Sequence, residues 1–208
     1  MREILLRIPI VLLAITVHEC AHGYVAYLLG DHTAKQSGRL SLNPLHHMDL
    51  MGTICMLVVG FGWARPVPVN PHYFKNPKGG MSLVGLAGPV SNFLMSIFFA
   101  VLYGVVLRYA RDNGTITWFF LSLFQMGMVL NLQLGLFNLI PFPPLDGSKI
   151  LAYFLPNKWY YKLMMYERYA MPILMILLFL GVLDKPFALV ASRLFRILIR
   201  IVQAMIGV

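Results

Sequence analysis

His18, Glu19 and His22 form the pattern H-E-x-x-H inside an apolar stretch near the start of the chain. On a helix, residues four positions apart project from the same face, so both imidazole rings can reach one metal ion. Glu19 lies beside them, where its carboxylate can take a proton from a water molecule. The pattern therefore predicts a hydrolytic metal site, with zinc as the metal.

These three residues could instead be polar groups packed between helices with no chemical role. Their position in a membrane-spanning helix argues against that alternative. A charged group at the centre of such a helix costs about 2.5 to 3.5 kcal/mol on insertion, so ionisable residues persist there mainly where they have a function.

A third ligand is expected from elsewhere, because a catalytic zinc ion usually has three protein ligands and one open position. Asp146, in NLIPFPPLDG, follows a proline-broken helix end at the membrane margin. Irregular backbone at that depth must lie beside protein or a water-filled cavity. We predict that His18, His22 and Asp146 bind one zinc ion per chain. The alternative for Asp146 is an N-cap of the short helix that follows.

This site predicts hydrolysis of a peptide bond near or within the bilayer. Zinc would activate a water molecule, and Glu19 would accept its proton and pass it to the leaving amine. A helical substrate must first unwind. An edge strand at 63–69, with Val67 and Val69, could hold the unwound segment by strand addition, while Asn92 or Asn138 could bind further backbone groups.

The composition is that of an integral membrane protein. Of 208 residues, 59% are hydrophobic and only 12% are charged, against roughly 25% charged in an average soluble domain. The net charge of +9 comes from scattered Lys and Arg residues, so we expect no nucleic-acid partner. The basic, apolar start resembles a signal peptide but has no cleavage pattern, so we interpret it as the first spanning helix.

The pattern of apolar segments predicts an α-helical polytopic protein with four to five transmembrane helices in a single domain, 1–208. The expected helices lie at about 4–29, 81–108, 118–140 and 169–183, with a short helix from Asp146 to Tyr153. A membrane-associated β-hairpin is expected at about 53–69. The last segment, 187–206, carries Arg193, Arg196 and Arg200 on one face, which favours an amphipathic surface helix. A fifth spanning helix with its arginines turned into the bundle is the alternative.

Several other polar and small residues have predicted environments. Small and polar residues of the second helix recur at spacings of three and four, which predicts one packing face; they are Ser82, Gly85, Gly88, Asn92 and Ser96. The histidines in polar segments are expected at the surface or the membrane interface; they are His32, His46, His47 and His72. Lys and Arg residues number nine on one predicted side and eight on the other, so charge does not decide the orientation.

Three motifs resemble the site-2 protease family of intramembrane zinc metalloproteases. They are HECAH on the first helix, GLAGPVSN on the second and NLIPFPPLDG at the end of the third. The resemblance implies zinc ligation by His18, His22 and Asp146, with Glu19 as general base. It also implies a substrate-clamping role for Asn138 and Asn92.

The resemblance further implies that the zinc lies toward the cytosolic side of the membrane, with residues 30–80 in the cytosol. The expected location is the plasma membrane of a prokaryote. Compared with larger members, we expect a short, single-domain type without a PDZ-like insertion or a nucleotide-sensing domain. The two alternative functions are a membrane metal-ion transporter and a catalytically silent scaffold of the same fold. A membrane metal-ion transporter would be expected to repeat such sites, and a catalytically silent scaffold would be expected to lack a catalytic residue.

Overall fold

The computed structural model describes residues 2–49, 51–52, 64–110 and 114–207, and these residues are mostly helical. The helices are α1 (Arg2–Leu28), α2 (Thr33–Gln36), α3 (Pro77–Tyr109), α4 (Thr115–Asn138), α5 (Asp146–Phe154), α6 (Asn157–Phe179) and α7 (Asp184–Ile206). The predicted helices at 4–29, 81–108 and 118–140 match α1, α3 and α4 to within a turn.

α3 is the central helix, because it contacts α1, α4, α5 and α7. Its start is set by Asn76, whose side chain accepts a hydrogen bond from the N–H of Gly79 at 3.1 Å, and by Pro77 at the first helical position. Most of its predicted small-residue face is buried, including Gly85, Gly88, Asn92 and Ser96. This face allows α1, α4 and α5 to approach α3 closely.

Three helices are long and apolar enough to cross a membrane: Leu6–Leu28, Pro77–Tyr109 and Thr115–Asn138. Tyr169–Phe179 and Asp184–Ala204 pass the same test only together and are bent by 81° against each other, as in a broken span or a re-entrant loop. The described residues therefore hold three candidate spans, or four if the bent pair is one span. The predicted fifth span is not found among them.

The predicted helix at 169–183 differs from α6 at both ends. α6 already begins at Asn157, after Pro156, and includes a stretch rich in charged and aromatic residues that an apolar criterion misses. It ends at Phe179, because Gly181 follows with a positive φ of 65°, a conformation typical of helix C-termini.

α7 packs one side of its length against the bundle. Leu198 and Val202 join Phe99 and Met128 in a buried cluster shared by α3, α4 and α7. The three predicted arginines of α7 are exposed on the outer side; they are Arg193, Arg196 and Arg200. The alternative in which these arginines turn into the bundle is therefore wrong, and their placement fits the amphipathic interpretation.

The predicted β-hairpin at 53–69 is not confirmed. Residues 53–63 lie outside the described residues. Residues 64–70, which we call the strap, form no strand, although Ala64 makes an isolated antiparallel bridge with Met48. The strap is extended backbone that lies across the C-terminal half of α1.

Candidate metal centre and cavity

The side chains of His18, His22 and Asp146 meet at one point between α1 and α5. The Nε2 atoms of His18 and His22 lie 3.0 Å apart, and Asp146 Oδ2 lies 3.0 Å from the first and 3.1 Å from the second. All three residues are buried. Within the described part of the chain, they form the only group of three or more His, Cys, Asp or Glu residues suited to a metal ion.

Hydrogen bonds on the far side of each ring fix the imidazole tautomers. His22 Nδ1 lies 2.7 Å from the backbone carbonyl oxygen of Val84, which can only accept, so Nδ1 carries the proton. His18 Nδ1 lies 2.5 Å from Asn92 Oδ1, while Asn92 Nδ2 donates to two other oxygens. With the proton of each neutral ring on Nδ1, the Nε2 atoms that face Asp146 Oδ2 are the ones available to bind a metal ion, as in metal-binding histidines.

This donor set fits a zinc ion. In a tetrahedral site with zinc–ligand distances of about 2.0 to 2.2 Å, neighbouring ligand atoms lie about 3.3 Å apart, close to the 3.0 to 3.1 Å that separate the three atoms here. Asp146 Oδ2 is buried and has no hydrogen-bond donor among the described residues. These three atoms converge on one point, an arrangement that suits a bound cation.

Close backbone contacts bring Asp146 to the histidines. A Cβ added at Gly147 would lie 2.3 Å from the carbonyl oxygen of Leu139, so only glycine lets α5 begin against the end of α4. Lys149 holds Asp146 Oδ1 at 3.0 Å and leaves Oδ2 for the histidines. The N-cap position belongs to Leu145, and no side chain caps α5, so the N-cap alternative for Asp146 is wrong.

α3 forms the wall behind the two histidines. A Cβ added at Gly88 would lie 2.5 Å from the Cε1 atoms of both His18 and His22, so the rings pack directly on the α3 backbone. Asn92 is fully buried, and its Nδ2 donates to the carbonyl oxygen of Ala14 at 3.3 Å and to Asn131 Oδ1 at 3.1 Å. A chain of hydrogen bonds thus runs from His18 through α3 to α4.

Glu19 faces a cavity of about 890 Å³ that the three candidate ligands also line. Its Oε2 accepts a hydrogen bond from the N–H of Val67 in the strap at 3.0 Å. Asn138 and Val69 line the same cavity, and Asn138 Nδ2 donates to the carbonyl oxygen of Leu134 at 3.0 Å. Apart from these groups, most of the lining is apolar.

The histidines outside this site divide into two groups. His32, His46 and His72 are exposed, as expected. His47 is buried instead, and its Nε2 donates to the carbonyl oxygen of Ser41 at 2.7 Å. The turn residues around His47 suggested a surface position, whereas the loop folds back against α1.

Two contributors to the site, Asn131 and Lys149, were not among the predicted site residues. Lys149 lies three positions after Asp146 on a short helix, a spacing at which an ion pair could have been anticipated. Asn131 shares a stripe with Gly135 and Asn138 on α4, but nothing in the sequence shows that it binds Asn92. Such contacts depend on how α3 and α4 pack.

Comparison with known proteins agrees with this geometry. Residues 104–182 match peptidase family M50. The chain is 44% identical over 169 residues to a protein of Bacillus subtilis provisionally named zinc metalloprotease YwhC, and this match covers 80% of the chain and 76% of that protein. No solved structure matches the chain.

More distant relatives are longer. The zinc metalloprotease MJ0392 of Methanocaldococcus jannaschii is 30% identical over 148 residues, which cover 71% of this chain and 34% of that protein. Rip2 of Mycolicibacterium smegmatis, provisionally named a zinc metalloprotease, is 29% identical over 142 residues, which cover 65% of this chain and 52% of that protein. The chain therefore belongs to peptidase family M50, the site-2 protease family of zinc metalloproteases.

Proposed function

We propose that this zinc metalloprotease hydrolyses peptide bonds within or next to transmembrane segments of other membrane proteins. The observation that carries this proposal is the convergence of the His18 and His22 Nε2 atoms and Asp146 Oδ2 beside Glu19 in a largely apolar cavity. The described residues contain one such cluster, which gives no support to a transport pathway of repeated sites.

His18, His22 and Asp146 would hold one zinc ion per chain. When bound, zinc supplies Lewis acidity toward the scissile carbonyl and an attacking water molecule. Asn92 keeps His18 in the tautomer that can bind, and the Val84 carbonyl oxygen does the same for His22. Lys149 directs the Asp146 carboxylate by binding its other oxygen.

Glu19 is the proposed general base. Since the Val67 N–H occupies its Oε2, its Oε1 accepts the proton of the attacking water and then passes it to the leaving amine. The amide also restrains the carboxylate on the cavity side of α1. A base held in place contributes to rate because its orientation is set before the substrate arrives.

The cavity suits an apolar, locally unwound peptide segment. Asn138 donates through its Nδ2 within α4, which leaves its Oδ1 to accept a substrate N–H. Val69 is the better strap contact, because its N–H has no partner within the described part of the chain. The N–H of Val67 is bound to Glu19 and its side chain is buried.

For Asn92 we propose a different role from the predicted substrate contact. It has no exposed surface and its amide is bound on every side within the bundle. We therefore assign it to positioning His18 rather than to binding substrate. For location, we propose a prokaryotic plasma membrane, with the metal centre toward the cytosol, which is consistent with the bacterial and archaeal sources of the relatives.

The test uses the purified full-length chain in lipid nanodiscs with an apolar helical peptide as substrate. The wild type should cleave the peptide and retain about one zinc ion per chain. Glu19→Gln should retain the zinc but lower the cleavage rate by about 10²- to 10⁴-fold, the usual contribution of a general base. Asp184→Asn, at an exposed carboxylate, is the matched control and should cleave normally.

Normal cleavage by Glu19→Gln would disprove the assignment of the base. A wild type that binds zinc but cleaves no membrane peptide would disprove the proposed substrate class.

A further inference from the structure

The strap is held against the catalytic helix by two buried charged side chains from the segment that follows α1. Arg39 is 7% exposed and Asp31 is fully buried. Each binds backbone groups of the strap, Arg39 near its start and Asp31 at its end. Neither residue contacts the candidate metal ligands, and the mechanism above does not use them.

The Arg39 guanidinium joins two separate pieces of backbone. It donates to the carbonyl oxygen of His46 in the loop, and to the carbonyl oxygens of Arg65 and Pro66 in the strap, the last at 3.1 Å. A planar guanidinium can serve several acceptors in fixed directions, which a lysine cannot do. This contact therefore fixes the position of the strap along α1.

Asp31 anchors the other end of the strap. Its Oδ2 accepts the N–H of Asn70 at 2.6 Å, and its Oδ1 accepts the N–H and the hydroxyl of Thr33 at 2.9 and 2.5 Å. Burial opposes its ionisation, but the hydrogen bonds from Thr33 and Asn70 outweigh that effect and lower the pKa of Asp31 below its ordinary value. The carboxylate is thus held in its charged form at neutral pH.

Val67 lies between these two anchors, and its N–H binds Glu19. Its side chain packs over Gly23, where an added Cβ would lie 3.2 Å from Val67 Cγ1. Pro66 and Pro68 flank it, and their fixed φ angles reduce the freedom of the strap. A shift of the strap along α1 would therefore carry the amide away from the Glu19 carboxylate.

We propose that Arg39 is a positioning residue for the general base. By binding the Arg65 and Pro66 carbonyl oxygens, it holds the strap where the Val67 amide meets Glu19. The inference rests on the proposed function for its effect on catalysis. The anchoring of the strap itself can be measured without any substrate.

The test compares Arg39→Gln with Arg108→Gln, a control at an exposed arginine in the last turn of α3, outside the strap and the cavity lining. Arg39→Gln should lower kcat for the membrane peptide by about 10- to 100-fold, because a displacement of about 1 Å can cost 10²-fold. KM and the zinc content should not change. The kcat of Arg39→Lys should lie between those of Arg39→Gln and the wild type, and the kcat of Arg108→Gln should match that of the wild type.

Hydrogen–deuterium exchange supplies the second readout. In the wild type, the peptide that contains residues 64–70 should exchange slowly, and Arg39→Gln should raise its rate at least about 10-fold. The exchange rates of α3 and α4 should stay the same. This pattern would separate a local release of the strap from general unfolding.

Unchanged kcat together with unchanged exchange in Arg39→Gln would overturn the inference. So would loss of zinc along with activity in both Arg39 variants, because it would indicate a purely structural role. If Arg39→Gln did not fold, Arg39→Lys would decide between the same outcomes. If the wild type cleaved no peptide, the proposed function would fail, while the exchange rates would still decide whether Arg39 holds the strap.

Discussion

Two sets of ionisable residues on apolar helices have opposite surroundings. On α1, His18 and His22 are buried, and each ring nitrogen faces a defined partner. On α7, Arg193, Arg196 and Arg200 lie on the exposed side. Both sets recur at helical spacing, so spacing alone does not distinguish them.

The two sets differ in which side of the helix faces α3. The histidines pack on Gly88 of α3, which leaves room for two rings and brings Asn92 within reach of one of them. α7 also meets a glycine of α3, Gly104, but the side chain that packs there is Val202. On α1, the polar residues face the small residues of α3, where they can meet other side chains. On α7, the polar residues face away from the bundle.

Removal of a ligand should have the largest effect. Asp146→Ala deletes the carboxylate that meets both Nε2 atoms. Residues that only orient a ligand contribute at most about 100-fold to metal affinity. We therefore expect zinc affinity to fall by more than about 100-fold in Asp146→Ala, and cleavage to be lost. Zinc content and peptide cleavage measure both effects. Unchanged zinc content would remove Asp146 from the ligand set.

Gly88→Ala tests the packing that supports the site. The new methyl group would lie 2.5 Å from a ring atom of each histidine, so at least one ring must move. We expect zinc affinity to fall by about 10- to 100-fold. Gly104→Ala is the matched control on the same helix, because its methyl group would meet Val202 Cγ1 at 3.1 Å and Ile206 Cγ2 at 3.7 Å, and no residue of the site. Equal zinc affinity in Gly88→Ala and Gly104→Ala would show that the contact of the histidines with Gly88 is not what supports the site.

The grouping of His18, His22 and Asp146 was predictable because its evidence in the sequence is local. The spacing of His18 and His22 places both on one helix face, and Asp146 stands out in a proline-broken segment. The roles of Asn92 and Val67 were not predictable in the same way, because their amides could have faced substrate or protein. The partner of Asn92 depends on the depth at which α3 packs against α1.

The secondary structure was likewise predictable only where its evidence in the sequence is local. α1, α3 and α4 follow from continuous apolar stretches that need no distant partner. The start of α6 is not evident from apolar residues alone, because charged residues interrupt the apolar and aromatic ones after Asn157. The strap was interpreted as part of a hairpin from its alternating valines, whereas Arg39 and Asp31, far from it in sequence, hold it as extended backbone.

Asn92→Ala should have a moderate effect. It leaves the three ligands in place but removes the oxygen that binds His18 Nδ1, so the ring can change its tautomer or rotate. Loss of an outer hydrogen-bond partner of a metal-bound histidine typically lowers metal affinity by about 10- to 100-fold. We expect zinc affinity to fall by about 10-fold in Asn92→Ala. Ser96→Ala, one turn further along the same face, removes only a bond to the Met128 carbonyl oxygen. It should leave zinc affinity unchanged, and an equal loss in both variants would point to packing of α3 as the cause.

The smallest effect is expected on the outer face of α7. Arg196→Gln should change stability by no more than about 0.5 kcal/mol, as exposed substitutions usually do, and should leave cleavage unchanged. Leu198→Ala, two residues along the same helix, removes a side chain buried against α3 and α4 and should cost about 2 to 5 kcal/mol. Thermal unfolding in nanodiscs measures both. Arg196 lies on the outer side of α7 and does not line the cavity. A loss of activity in Arg196→Gln at unchanged stability would therefore mean that the arginine face contacts a partner or lipid that the reaction needs.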